Sequence, residues 1–334
     1  MRRSVIVLVA LLALVTSCAT DQPQDKTTIR FALDWMPNTN HSGLYVALRQ
    51  GWFADAGLDV QVVPYGQTAP DNLMDSGNAE FGISFQSSSV FAQAAGAKVV
   101  SVLAPLQHRA TAIGVRADRA DLVSPKSLDG KTYAGFGDAG EVEVLRQIIR
   151  NDGGTGDFRN VTLGTSAFAM VYSDQADFTV PYLTWEGIEA QLNGTPFKYF
   201  QFSDYGIPDE YAVVIDASRA WLADNPDAAR KFVQVLQRGY QLAADDPAKA
   251  AQDLIDSNPD SFDDPALVTT SQNLLAAEYM KDADGKVGNQ TLARWTDYSR
   301  LLYQHGLLAD GEGQPLTREP DWSTYFTDAY LANP

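Results

Sequence analysis

Twice in this chain a carboxylic acid stands beside an indole, at Asp34-Trp35 and at Trp185-Glu186. The pairing has a chemical meaning. An indole offers a flat apolar face, and a neighbouring carboxylate accepts N–H donors, so together they suit a flat ring with N–H groups on its edge. Trp35 follows a predicted strand over 28–33 and precedes Pro37, which puts it at the C-terminal edge of a sheet. Tyr182 and Trp185 follow another predicted strand, over 176–180. Core or lobe-interface packing is the alternative for Trp35 and Trp185; the repetition of the acid–aromatic pair is what favours ligand contact for these two. Asn38 and His41 lie in the loop after the first strand and are candidate hydrogen-bonding groups. Equally, Asn38 could stabilise the turn, and His41 could precede a helix capped at Ser42. Ser84, Gln86 and Ser87 follow a third predicted strand, over 79–84, where polar groups would face a cleft, although Ser87 could instead be a helix N-cap.

Three other patterns suggest chemistry and do not sustain it. Gly135-Phe136-Gly137-Asp138-Ala139-Gly140 matches G-x-G-x-x-G between a strand and a helix. Asp138 would set a carboxylate against a pyrophosphate, and Asp157, at the expected distance, precedes a strand instead of ending one. The better reading is a tight turn whose amides, at Gly137 above all, face the cleft and could take a polar ligand substituent. Gly82-Ile83-Ser84 lacks the following x-Gly of a nucleophile elbow. His41, His108 and His305 are scattered, which gives a metal triad no support. No cofactor is expected.

The elements that must position these residues alternate. Strands are predicted over 28–33, 58–63, 79–84 and 99–103, separated by helices over 42–50, 72–75 and 90–95. Strands over 111–115, 131–136, 161–163, 176–180 and 211–215 continue the rhythm, with helices over 141–150 and 185–192. This βαβα order predicts parallel sheets covered on both faces. From 218 onward the pattern is almost wholly helical, over 227–244, 247–256, 265–279 and 292–305. The 334 residues are too many for one ordinary domain. The expected arrangement is one lobe from 28–108 and 213–334, including the helical tail, and a second from 109–212. A ligand cleft would lie between them, beside the C-terminal ends of the strands.

Composition narrows the partners. With 25 Lys+Arg against 42 Asp+Glu the net charge is −17, which argues against nucleic acid or anionic lipid as the main partner. A single cysteine and three histidines exclude a disulfide framework and a cysteine-rich zinc or iron–sulfur site. Arg2 and Arg3 precede an apolar run over 5–15, about half of the ~20 residues a membrane helix needs. The run reads as the core of a secretory signal. Val15-Thr16-Ser17-Cys18 resembles a bacterial lipobox, with the sole cysteine placed for lipidation. The expectation is a signal peptide over 1–17, a lipidated tether over 18–27, and a folded body held outside the bacterial cell membrane.

The run Leu33-Asp34-Trp35-Met36-Pro37-Asn38-Thr39-Asn40-His41-Ser42-Gly43-Leu44-Tyr45-Val46-Ala47 resembles the opening of thiamine-precursor-binding proteins of bacterial ABC importers. Gly51-Trp52-Phe53, Gly57-Leu58-Asp59-Val60, Gly77, Ala79-Glu80-Phe81-Gly82-Ile83-Ser84, Ser127-Leu128-Asp129-Gly130-Lys131, Trp185-Glu186-Gly187-Ile188-Glu189 and the helix from Asn225-Pro226 to Tyr240 continue the match. It covers nearly all of the chain after the signal. The Gly-Trp-Phe and Ser-Leu-Asp-Gly-Lys pieces are generic to periplasmic binding proteins; the Asp-Trp-x-Pro-Asn-Thr-Asn-His run is much more specific. The resemblance implies a two-lobed α/β periplasmic-binding-protein fold of type II. It also implies capture of an aminopyrimidine such as formylaminopyrimidine or hydroxymethylpyrimidine, with an ABC permease and its ATPase as partners. Riboflavin is the best alternative ligand, because a flavin also wants stacking, whereas Asp34 and Glu186 would repel a sulfonate unless a cation offset them. An exported pyrimidine-metabolising enzyme is the remaining rival. The family is similar in fold to fungal enzymes that build the thiamine pyrimidine. Those carry a cofactor-bearing lysine that aligns with Ser84, and a cysteine-rich iron run with no counterpart here. Ser84 has no amine with which to form a Schiff base, and that places the chain on the binding side.

Overall fold

β-Branched and aromatic residues with alternating burial make the first strand, β1 (Thr27–Ala32), which buries Ile29 and Phe31 completely. The computed structural model describes residues 26–137 and 140–332. The expected signal over 1–17 and the lipidation expected at Cys18 lie outside the described residues. The further strands are β2 (Leu58–Val63), β3 (Phe81–Ser84), β4 (Val99–Leu106), β5 (Ile113–Arg116), β6 (Thr132–Gly135), β7 (Arg159–Thr162), β8 (Phe178–Thr179), β9 (Phe197–Phe200) and β10 (Val213–Ser218). They form two five-stranded sheets, ordered β2-β1-β3-β10-β4 and β7-β6-β8-β5-β9.

The sheets are mixed, not wholly parallel as the βαβα rhythm suggested. In the first, β1 runs parallel to β2 and β3, but β10 is antiparallel to both β3 and β4. In the second, β6 is parallel to β7 and β8, but β5 is antiparallel to β8 and β9. The reason is connectivity. The chain leaves the first sheet at the end of β4 and enters the second as β5; it comes back as β10. A strand that arrives from the other lobe starts at the cleft edge, so it must run against neighbours that end there.

Glycine decides how closely the helices over this first sheet approach. A Cβ at Gly239 would run into the carbonyl of Gly43, and one at Gly43 into the ring of Tyr240. The contact locks helix Pro226–Asp245 onto helix Ser42–Arg49, and the Tyr240 hydroxyl donates to the Asn40 carbonyl at 2.8 Å. The loop that carries Asp34 and Trp35 is thereby tied to the core of the first lobe. Below it Phe81 packs on Phe232 with ring centres 4.2 Å apart, and Phe53 stacks on Phe232 at 5.2 Å. The predicted helix over 141–150 spans Glu141–Asn151 and buries Val144, Leu145, Ile148 and Ile149. Among the described residues no helix is long and apolar enough to cross a membrane.

Candidate ligand-binding cleft

A cavity of about 380 Å³ opens between the two sheets. Its wall is built where strands end. Asp34 and Trp35 follow β1, Tyr65 follows β2, Ser84 closes β3, Phe136 and Gly137 follow β6, and Tyr182, Trp185 and Glu186 follow β8. This is where open α/β sheets present loops to ligands.

The aromatic wall crosses the cleft. The Trp35 ring lies 5.1 Å from Tyr65, on its own lobe, and 6.1 Å edge-on from Phe136, on the other; Phe136 in turn lies 5.1 Å from Phe168. Tyr182 lies 6.1 Å from Phe85 and donates its hydroxyl to the Ala212 carbonyl at 3.2 Å. Trp185 lines the cavity while also packing edge-on to Phe262 at 6.1 Å, so it is partly a packing residue, as its alternative reading allowed.

The two acids face this common space. One Asp34 oxygen, Oδ1, is 2.7 Å from His41 Nε2. Glu186 is buried at the start of helix Glu186–Leu192, and its Oε2 accepts from the Tyr182 N–H at 3.0 Å. Burial pushes the Glu186 carboxyl from 4.5 up to about 8. Backbone N–H groups oppose that rise, and the nearby charges of Glu189 and Asp34 add to it. At neutral pH Glu186 is therefore chiefly the protonated acid, one O–H donor and one carbonyl acceptor.

Asn38 lines the cavity too, but its side chain is spent on its own turn. Oδ1 accepts from the Asn40 N–H at 2.9 Å and Nδ2 donates to the Met36 carbonyl at 3.0 Å. Two of the candidate residues do not line it. His41 is fully buried behind Asp34. It takes the N-cap position of helix Ser42–Arg49, in place of Ser42, without a side-chain cap bond there, and its ring closes a capping box with Asn38 over the short turn Thr39–His41. Gln86 opens helix Gln86–Ala94 and points into the protein, where it accepts from the Tyr211 N–H at 2.9 Å and donates to the Arg294 carbonyl at 3.1 Å. The N-cap of that helix is Phe85, not Ser87. Among the described residues no three His, Cys, Asp or Glu side chains are grouped to hold a metal.

At the glycine-rich turn, Gly137 has φ 93° and lines the cavity. Glu141, in the first turn of the following helix, hydrogen-bonds the Tyr133 hydroxyl and approaches the Phe136 N–H. A carboxylate therefore already takes a backbone N–H of this turn.

Several lining groups escaped the sequence. Tyr65 and Phe136 obey the strand-end rule that found Trp35 and could have been found by it. Arg109 and Glu210 lie on the two crossings between lobes, 2.8 Å apart, with the Arg109 guanidinium 4.6 Å from the centre of the Phe202 ring. Burial pushes Glu210 up to about 7 although Arg109 pulls it down. Asp71 meets Ser84 at 2.8 Å and sits against Asp216 on β10. Burial lifts both carboxyls, Asp71 to about 6 and Asp216 well above its ordinary value, with Asp71 contributing to the latter.

The family model described as NMT1/THI5 like matches residues 38–250. The chain belongs to the NMT1/THI5-like family. This NMT1/THI5-like chain is 28% identical to the formylaminopyrimidine-binding protein of Halalkalibacterium halodurans, over 96% of its own length and 98% of the relative's. It is 22% identical to 4-amino-5-hydroxymethyl-2-methylpyrimidine phosphate synthase THI11 of Saccharomyces cerevisiae, over 69% of its length and 71% of that enzyme's. Its fold is that of ABC-importer substrate-binding proteins, a two-lobed periplasmic-binding-protein architecture. The ligand-binding component of an ABC-type import system from Staphylococcus aureus superposes with TM-score 0.69 at 14% identity, covering 91% of this chain and 98% of that one. The alkanesulfonate-binding protein SsuA of Xanthomonas axonopodis pv. citri does so with TM-score 0.65 at 16% identity, covering 92% and 99%.

Proposed function

We propose that the protein is the extracytoplasmic substrate-binding lipoprotein of an ABC importer. In this reading it captures a thiamine pyrimidine precursor, formylaminopyrimidine or hydroxymethylpyrimidine, and delivers it to a permease driven by its ATPase. Cys18 carries the lipid that holds it to the bacterial membrane. The lobes are 28–108 with 213–334, and 109–212. The observation that carries the proposal is that Asp34 and Glu186, one from each lobe, face a single cavity walled by Trp35, Tyr65, Phe136 and Tyr182.

The chemistry is complementary group by group. An aminopyrimidine presents an amine donor beside a ring-nitrogen acceptor. A protonated Glu186 presents an acceptor beside a donor, so the two edges match in a paired hydrogen bond. Asp34 takes an N–H from the opposite side, a charge-assisted bond of about 1.5–3 kcal/mol. Each aromatic contact with the ring adds roughly 0.5–1.5 kcal/mol beyond area burial. Because the contacts come from both lobes, ligand binds the closed form better than the open one and shifts the protein toward closure, the state the permease receives. The Asp34 carboxylate disfavours the anions that the sulfonate-binding fold relatives take. Ser84 offers a hydroxyl already committed to Asp71, which supports binding without turnover.

Calorimetric titration with formylaminopyrimidine, hydroxymethylpyrimidine, thiamine and riboflavin tests the reading. One-to-one binding of a pyrimidine, with riboflavin silent, is expected. Tight riboflavin binding with no pyrimidine signal would overturn it, and conversion of any of the four would move the protein to the enzymes.

A further inference from the structure

His41 has no access to the cavity, yet it makes the polar contact that fixes the acid on one side of it. Its ring is fully buried, with Nε2 2.7 Å from Asp34 Oδ1 and Nδ1 3.3 Å from the Asn38 backbone nitrogen. A backbone N–H can only donate, so Nδ1 must accept, and the ring proton lies on Nε2, where it is donated to Asp34. That leaves Asp34 Oδ2 as the oxygen available to the cavity, with no partner among the described residues. The support behind His41 is itself held from several directions. Asn38 is locked by Asn40 and Met36, Thr39 Oγ1 meets Ser271 Oγ at 2.5 Å, and the Tyr240 hydroxyl holds the Asn40 carbonyl.

We propose that His41 is a positioning residue for ligand specificity: it pins one oxygen of Asp34 so that the other faces the cleft as a fixed acceptor, selecting a ring that bears an exocyclic amine over one that bears an oxo group there. The proposal rests on the aminopyrimidine reading of the cleft. A carboxylate free to rotate spreads its acceptor over many directions, whereas a carboxylate held at Oδ1 presents Oδ2 along one. An amine donates to that lone pair. An oxo group sets two acceptors against each other and leaves both unsatisfied in a buried site, the circumstance in which polar discrimination is strongest.

The test compares binding of 4-amino-5-hydroxymethyl-2-methylpyrimidine with its 4-oxo counterpart, by calorimetry on the full chain. His41→Leu removes the donor, whereas His41→Gln keeps an N–H near the place of Nε2. His41→Leu is expected to cut the amino-over-oxo preference by about tenfold or more through loss of amine affinity, and His41→Gln to restore most of it. In an Asp34→Asn background His41→Leu should change the preference by less than about twofold, because the two residues act as one unit. An unchanged preference in folded His41→Leu, or an equal effect in the Asp34→Asn background, overturns the proposal. A second readout stands apart from the ligand: ¹⁵N spectra of labelled histidine should show the His41 proton on Nε2, and a proton on Nδ1 overturns the proposal. Should the wild type bind neither probe, the ligand class falls, and the ring tautomer then decides the geometry of His41 by itself.

Discussion

Glu186→Gln should flatten the protein's dependence of stability on pH. Burial pushes this carboxyl from 4.5 to about 8. Between those two values the folded chain holds a proton that the unfolded chain has released. The stability tied to that proton is complete below the unfolded value and is lost as pH rises toward the folded one, at about 1.4 kcal/mol per pH unit. From about pH 5.5 to about pH 7.5 this one group therefore costs the wild type about 3 kcal/mol. Gln keeps the shape and cannot ionise. Glu210, pushed up to about 7, and Asp71, to about 6, tilt the curve the same way, so the variant keeps a slope but loses one proton's share of it. The assay is urea unfolding followed by tryptophan fluorescence at a series of pH values and constant ionic strength. The variant's stability relative to wild type should rise by about 3 kcal/mol across that interval. Parallel curves would mean that Glu186 is ionised across the whole interval, and the paired hydrogen bond from acid to aminopyrimidine would have to be abandoned.

Three further outcomes are expected. Trp35→Ala should weaken hydroxymethylpyrimidine binding by about tenfold to a hundredfold through loss of ring contact and apolar cover; an unaltered calorimetric affinity would remove Trp35 from the site. Gly239→Ala should destabilise the protein by about 1–3 kcal/mol through overpacking against the Gly43 carbonyl. It should also lower ligand affinity, because the helix it displaces begins just after the Asp34 loop; an unshifted thermal midpoint would contradict the close approach. Arg109→Leu leaves buried Glu210 without its cation and should cost about 3–5 kcal/mol near pH 8. The cost should shrink near pH 5, where Glu210 is protonated; an equal loss at both pH values in chemical denaturation would show that packing on Phe202, not charge, is what Arg109 supplies.

Local signals made much of the fold legible. The β-branched strand over 58–63 and the helix over 265–279 were read from local pattern, and the structure has them as β2 and helix Pro265–Glu278. Direction was not legible, because β5 and β10 run antiparallel for a reason of chain path that no local pattern carries. The strand Phe197–Phe200 was missed, being four residues with Lys198 in the middle, and so was the helix Ala167–Tyr172, six residues whose N-cap Ser166 makes no side-chain cap bond. In the cleft, the strand-end rule brought Asp34, Trp35, Ser84, Tyr182, Trp185 and Glu186 to one cavity. It could not tell whether a polar residue just past a strand faces that cavity or turns inward. Gln86 turns in to brace Tyr211 and Arg294, and His41 turns in to hold Asp34. The Arg109–Glu210 pair spans a hundred residues and forms only once both crossings are in place.

Mass spectrometry of the small molecule released from gently purified protein tests the central claim most directly. The account predicts the mass of an aminopyrimidine, released in proportion to protein and absent after Glu186→Gln and Trp35→Ala are combined. Recovery of riboflavin, of an aliphatic sulfonate, or of the same pyrimidine in equal amount from the double variant would contradict it.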